Sequence, residues 1–183
     1  DTAQVGYEND LRDACAEVAN QRLPRLYKFA ESTLQDKHLG VCQAAVLAWP
    51  DLIESRYEGP NLTLIHADLH PWNVFVPQDE SGSPLIFDWE LLCRGIGVFD
   101  VLYLILRCRL PPKVRQEYES ELIPRYHATL SRSGVTGYSL EACQADYRLS
   151  IIPNILPPVA WGRPLNLVTT MEAFQDWECA SLV

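Results

Sequence analysis

Leu64-Ile-His-Ala-Asp-Leu-His-Pro-Trp-Asn-Val-Phe-Val-Pro77, followed shortly by Leu85-Ile-Phe-Asp-Trp-Glu90, sets four polar groups between apolar, strand-like runs: His66, Asp68, Asn73 and Asp88. Taken singly they are ordinary, since Asp and Asn in loops bind their own backbone and cap strand ends. Taken together, a carboxylate, an amide five residues later and a second carboxylate fifteen after that are hard oxygen donors in one short segment. That set suits a site that orients an attacking hydroxyl and holds magnesium on phosphate oxygens.

Leu62 to Ile65 reads as a short strand after the Gly59-Pro60-Asn61 cluster. Asn73 to Pro77 and Pro84 to Asp88 read as two further strands joined by the turn-rich Gln78 to Ser83. Pairing around that loop sets Pro77 opposite Pro84 and Asn73 opposite Asp88. Opposed residues have Cβ atoms roughly 5 Å apart, and two neighbouring magnesium ligands lie about 3 Å apart given bonds near 2.1 Å. The register therefore predicts that Asn73 and Asp88 share one ion, and a slip of one residue would separate them. Glu90, two residues past Asp88, shares its face if the chain stays extended, as a further metal or substrate contact or as a solvated glutamate.

Around this segment the pattern is helical. Residues Tyr7 to Leu34 carry Leu11, Cys15, Val18, Ala19, Leu23, Leu26 and Phe29 at helical spacing, with Pro24 as a break or kink. Further helices are expected over Val41 to Ser55, Val98 to Arg109, Lys113 to Ser133, Ser139 to Ile152 and Val168 to Ala180, with Pro153 to Pro164 as a loop. No repeat or linker interrupts the chain, so the expected fold is mainly α with a small embedded β-hairpin, one domain over residues 1–183.

At 48% hydrophobic content the 183 residues suffice for a buried core. A net charge of -9 and a pI near 4.8 argue against a nucleic-acid partner, which wants a basic face. No run of eighteen apolar residues occurs, and residues 1–20 lack a signal-peptide pattern, so no membrane partner is expected and the location is expected to be cytoplasmic. The six cysteines are scattered singly and read as reduced, mostly buried thiols.

His66-Ala-Asp-Leu-His-Pro-Trp-Asn73 resembles the catalytic loop, usually written HGDLHPGN, of the aminoglycoside phosphotransferase and choline kinase-like families, which share the protein-kinase fold. Phe87-Asp-Trp-Glu90 is similar to their IDWE metal-binding segment, and Phe99-Asp-Val-Leu-Tyr103 to the DLA-type segment that follows. Gly137 to Arg148 and Asp176 to Leu182 are similar to the helical tail of bacterial members. The resemblance implies that Asp68 is the catalytic base or hydroxyl-orienting group and that Asn73 and Asp88 hold Mg2+ on the phosphates of ATP or GTP. It implies structural support from His66 and Asp100, and a small-molecule hydroxyl as acceptor. His70 stands where protein kinases carry a lysine near the transferred phosphate, as a nucleotide-binding residue or a packed loop histidine. Ala67 and Trp72 replace glycines of the pattern. The first is mild if its φ is negative, and the second must pack on the loop or line the substrate pocket.

A kinase of this fold also needs a glycine-rich strand-turn-strand and a strand lysine. The three lysines are Lys28 and Lys37 in helical segments and Lys113 beside two prolines, and Gly95-Ile-Gly97 follows the metal segment. The chain therefore reads as the C-terminal lobe alone, a truncated phosphotransferase with little activity by itself. Its lobe interface would be apolar and open to the missing N-terminal lobe or to self-association. Two alternatives are a non-catalytic single-lobe binding module and a metallohydrolase using His66, Asp68 and His70. Tyr103, Trp161 and Trp177 are unplaced candidates for a substrate pocket.

Overall fold

A computed structural model describes residues 12–30, 37–51, 61–79 and 82–182. The expected helical stretches Tyr7 to Leu11, 31–34 and 52–55, and the Gly59-Pro60 turn, lie outside the described residues. The chain forms two compact units, Gly59–Ser150 and a second made of Asp1–Glu58 with Ile151–Val183.

In the second unit, residues 12–17 are helical and continue through a π-turn, Val18–Arg22, into helix α1 (Leu23–Ala30). Pro24 is the cause. It has no N–H to donate to the carbonyl one turn back, and the widened turn just before it lets Leu23 N–H reach Val18 O instead. The backbone bulges rather than breaks. Helix α2 (Lys37–Leu47) follows, starting earlier than the expected Val41; a turn at Ala48 leads into a helical stretch at 49–51, where the described residues stop. Ala19, Leu23, Cys42 and Val46 are buried from these segments.

The Gly59–Ser150 unit opens with β1 (Leu62–Ile65), then the loop that carries Asp68, then β2 (Val74–Phe75) and β3 (Leu85–Ile86), which form a two-stranded antiparallel sheet. The observed pairs are Val74 with Ile86 and Phe75 with Leu85. That is the one-residue slip from the expected register: continued outward it places Phe87 against Asn73, and Phe87 N–H indeed donates to Asn73 O at 3.2 Å. Both strands are also shorter than expected. Pro71–Asn73 is a 3-10 turn, which withdraws Asn73 from the strand, and Asp88 turns to φ 65 and ends the other. A second 3-10 turn, Trp89–Leu91, follows at once, so the extended chain on which Glu90 was to share the face of Asp88 does not exist.

Strand β4 (Cys93–Ile96) pairs antiparallel with β1, with Thr63 opposite Gly95 and Ile65 opposite Cys93. Cys-Arg-Gly-Ile has weak strand character, so the sequence pattern carries no strand signal here. Gly95 is required by contact: a Cβ there would overlap the Ile65 side chain. Helix α3 (Val98–Arg107) buries Val98, Phe99, Leu102, Tyr103, Ile105 and Leu106, the one-sided spacing that defined it in the sequence.

Helix α4 (Pro112–Arg132) starts with a proline in its first turn and closes on Gly134 at φ 92, with Val135 N–H reaching Leu130 O and Gly134 N–H reaching Ser131 O. Helix α5 (Leu140–Ile151) is capped by Ser139, whose hydroxyl accepts Ala142 N–H at 3.1 Å. Arg115, Glu119 and Tyr147 meet in the core between α4 and α5: Arg115 to Glu119 at 2.7 Å and the Tyr147 hydroxyl to the same oxygen at 2.9 Å. Burial holds the Tyr147 phenol far above its ordinary range.

The chain then returns to the second unit through a 3-10 turn (Ile152–Ile155), helix α6 (Leu156–Ala160) and helix α7 (Pro164–Asp176). The expected loop over Pro153 to Pro164 is thus largely helical. Prolines lacking an N–H cost nothing in a first turn, and Pro157 and Pro158 fall there. Cys42 lies 3.3 Å from the Met171 sulfur, the His38 ring meets the Gln175 amide, and Trp49 Nε1 donates to Pro153 O at 3.2 Å. Cys15, Cys42, Cys143 and Cys179 are buried, whereas Cys108 is exposed. No described helix is long and apolar enough to cross a membrane.

Candidate active site

The loop between β1 and the Pro71–Asn73 turn is gripped from below by one carboxylate. Asp100, in the first turn of α3, accepts His66 N–H at 2.7 Å on one oxygen and Ala67 N–H at 3.0 Å on the other. An anion there also faces the positive end of the helix. Ala67 sits at φ 66, so the replacement of glycine is not mild: a Cβ in left-handed backbone costs about 1–2 kcal/mol, and the loop holds it there.

His66 is almost fully buried and joins the two halves of the motif. Its Nε2 lies 2.9 Å from Phe87 O, and its Nδ1 lies 3.3 Å from Asp68 N. A carbonyl only accepts and a backbone N–H only donates, so Nε2 carries the hydrogen and Nδ1 the lone pair. Both ring nitrogens are thereby used, which leaves His66 without a lone pair for zinc and removes the arrangement a metallohydrolase needs. The Trp89 ring covers it at 4.7 Å.

Asp68 follows with its carbonyl turned inward and its carboxylate outward. The carbonyl accepts the Asn73 side-chain amide at 3.0 Å and His70 N–H at 3.0 Å, closing a tight turn. The carboxylate, about a quarter exposed, accepts the Tyr103 hydroxyl at 2.8 Å on Oδ1 and has His70 Nε2 at 3.5 Å from Oδ2. Burial, with the Asp68 charge adding to it and Arg107 opposing, pushes the Tyr103 phenol above its ordinary range. Tyr103 is one of the three aromatic residues that the sequence left unplaced. It was findable: Asp100, Tyr103 and Arg107 are spaced three and four apart, one face of one helix.

His70 keeps a buried Nδ1 with no hydrogen-bond partner among the described residues. Trp72 is 65% exposed, edge-on to His70 at 5.6 Å, so it flanks the loop from outside rather than filling it. Asn73 is buried, and because its amide nitrogen is spent on Asp68 O, its carbonyl oxygen points the other way. Asp88 and Glu90 are exposed. No described group of three His, Cys, Asp or Glu is placed to hold a metal ion. The slipped register sets Phe87, not Asp88, opposite Asn73, so the facing pair expected to share one ion is not formed; magnesium binding through one or two carboxylates plus substrate phosphates needs no such all-protein cage.

Ten of the sixteen large apolar side chains exposed among the described residues fall between Leu64 and Leu92: Leu64, Trp72, Phe75, Val76, Leu85, Ile86, Phe87, Trp89, Leu91 and Leu92. Phe75 and Phe87 stack at 4.8 Å on the hairpin, next to the polar residues just described. Exposed apolar side chains concentrated beside polar groups are the form of a ligand or domain contact.

The sequence pattern of the phosphotransferase enzyme family matches residues 5–131, more than two thirds of the chain and all of the loop and hairpin. No curated protein and no solved structure gave a match.

Proposed function

Because the chain belongs to the phosphotransferase enzyme family, we propose that it transfers the γ-phosphate of ATP or GTP to a small-molecule hydroxyl, with Asp68 taking or orienting the hydroxyl proton. The observation that carries this reading is the way Asp68 is held. Its backbone is pinned by Asn73, His70 and His66, the loop is anchored by Asp100, and the carboxylate alone faces outward. Such preorganisation is what transfer by positioning requires.

In this reading residues 1–183 are the helical lobe of a protein-kinase-like fold. Although the hairpin does not set them opposite each other, Asn73 and Asp88 would hold magnesium together with the substrate phosphates, where it would neutralise their charge; Asp88 supplies the charge and Asn73 an oxygen that does not repel the phosphates. His70 donates to the phosphate from beside Asp68. Glu90 is a solvated neighbour of the metal position. Exposed apolar side chains between Leu64 and Leu92 receive the adenine or guanine end of the nucleotide and the strand-rich lobe that would carry the lysine.

The test is transfer from radiolabelled ATP and GTP to a panel of hydroxyl acceptors by the full-length protein. Asp68→Asn should abolish turnover with nucleotide binding nearly intact, and Asp88→Ala should raise the magnesium requirement or end activity. Turnover at the wild-type rate in Asp68→Asn refutes the assignment.

A further inference from the structure

We propose that Tyr103 is a positioning residue for Asp68: its hydroxyl holds one carboxylate oxygen so that the other, Oδ2, is the one presented to the acceptor hydroxyl. This rests on the phosphotransferase reading above and assigns within it a residue and an atom that reading leaves open.

The two oxygens of Asp68 differ in their surroundings. Oδ1 accepts the Tyr103 O–H at 2.8 Å, whereas the polar partner of Oδ2 among the described residues is His70 Nε2 at 3.5 Å, too long for a strong bond. Rotation about the last torsion of an aspartate is soft and roughly two-fold, so without a fixed donor either oxygen could face the substrate. Tyr103 supplies that donor from a rigid support. Its ring is 4% exposed, packs with Ile65 and Phe99, and lies under the Arg107 guanidinium at 4.2 Å from the ring centre. Arg107 is itself buried, so the cation stays over the ring. A phenol in that setting remains protonated and can only present its hydrogen to the carboxylate.

The acceptor oxygen forms a bond to the γ-phosphorus, and the bond from that phosphorus to its bridging oxygen breaks, its electron pair leaving on the nucleoside diphosphate. The hydroxyl proton passes to Oδ2 of Asp68 and from there to solvent. Tyr103 exchanges no proton; it fixes which oxygen receives one.

Two measurements on the full-length protein test this. With tyrosine labelled at 13Cζ, the Tyr103 resonance, identified by its loss in Tyr103→Phe, should titrate above pH 10. In Asp68→Asn it should titrate at lower pH than in the wild type, because burial still raises it and Arg107 still lowers it but the carboxylate no longer favours the neutral phenol. A resonance indifferent to Asp68→Asn overturns the proposal. Tyr103→Phe, which keeps the ring and its packing, should lower kcat about 10- to 100-fold with the nucleotide KM unchanged. Wild-type transfer with an unaltered kcat in Tyr103→Phe sinks the role of Tyr103 alone. Absence of any transfer by the wild type sinks the phosphotransferase reading and the role with it, whatever the resonance does.

Discussion

Replacing Asp100 by alanine removes the carboxylate that accepts the backbone N–H of His66 at 2.7 Å and of Ala67 at 3.0 Å. Hydrogen bonds to a charged group contribute about 1.5–3 kcal/mol each, and because Asp100 is only half-buried, water can replace it in part, which puts both bonds at the lower end and the pair near 3 kcal/mol. Against this, Ala67 is held at φ 66, and a released loop sheds about 1 kcal/mol of that strain. The net expected loss is about 2 kcal/mol, or a Tm lower by about 4–8 °C for a chain of this length. Calorimetry reads the Tm, and amide hydrogen exchange reads the two N–H groups directly, which should exchange much faster in Asp100→Ala. Asp100→Asn, which keeps one acceptor oxygen, should lose about half as much. A Tm within 1 °C of wild type together with unchanged protection of the His66 amide would show that Asp100 does not hold the loop.

Three further outcomes follow from local geometry. Ala67→Gly should stabilise the protein by about 1 kcal/mol, since glycine adopts φ 66 without a Cβ clash, and denaturant midpoints that fall instead would contradict the left-handed backbone at this position. Glu119→Gln, which takes the negative charge from a fully buried Arg115 at 2.7 Å, should cost about 3 kcal/mol or more; a chemical-denaturation loss under 1 kcal/mol would refute the buried pair. Burial pushes the Cys42 thiol up to about 12 from an unfolded value near 9. The folded state therefore keeps a proton that the unfolded chain gives up, so stability is full below pH 9 and falls by up to about 1.4 kcal/mol per pH unit between there and pH 12. Cys42→Ala should flatten that fall, and an unchanged slope in pH-dependent unfolding would count against the buried thiol.

Much of the site was legible in the chain because its chemistry is local. His66, Asp68 and Asn73 lie within eight consecutive residues, and one tight turn brings them together whatever surrounds it. Asp100, expected as a support from the start of the next helix, accepts the His66 and Ala67 N–H groups from the first turn of α3. The register of the hairpin was not legible. Pairing 73 with 88 assumed that both strands continue to the polar residues, but the Pro71–Asn73 turn and the left-handed Asp88 end them early and shift the pairing by one. With alternation broken at Asp88, parity arguments for Asp88 and Glu90 lose their basis.

By itself, then, the sequence determined the helices that carry one-sided apolar spacing or a cap such as Ser139, though not the helical turns within Pro153 to Pro164, and the identity of the polar residues that cluster at the loop. Those follow from interactions within a few residues of chain. The tertiary structure decided the strand pairing of β1 with β4, the backbone sign at Ala67, and the approach of Tyr103 to Asp68 across thirty-five positions. Each of these depends on which distant segments share a core, and no local propensity encodes that choice.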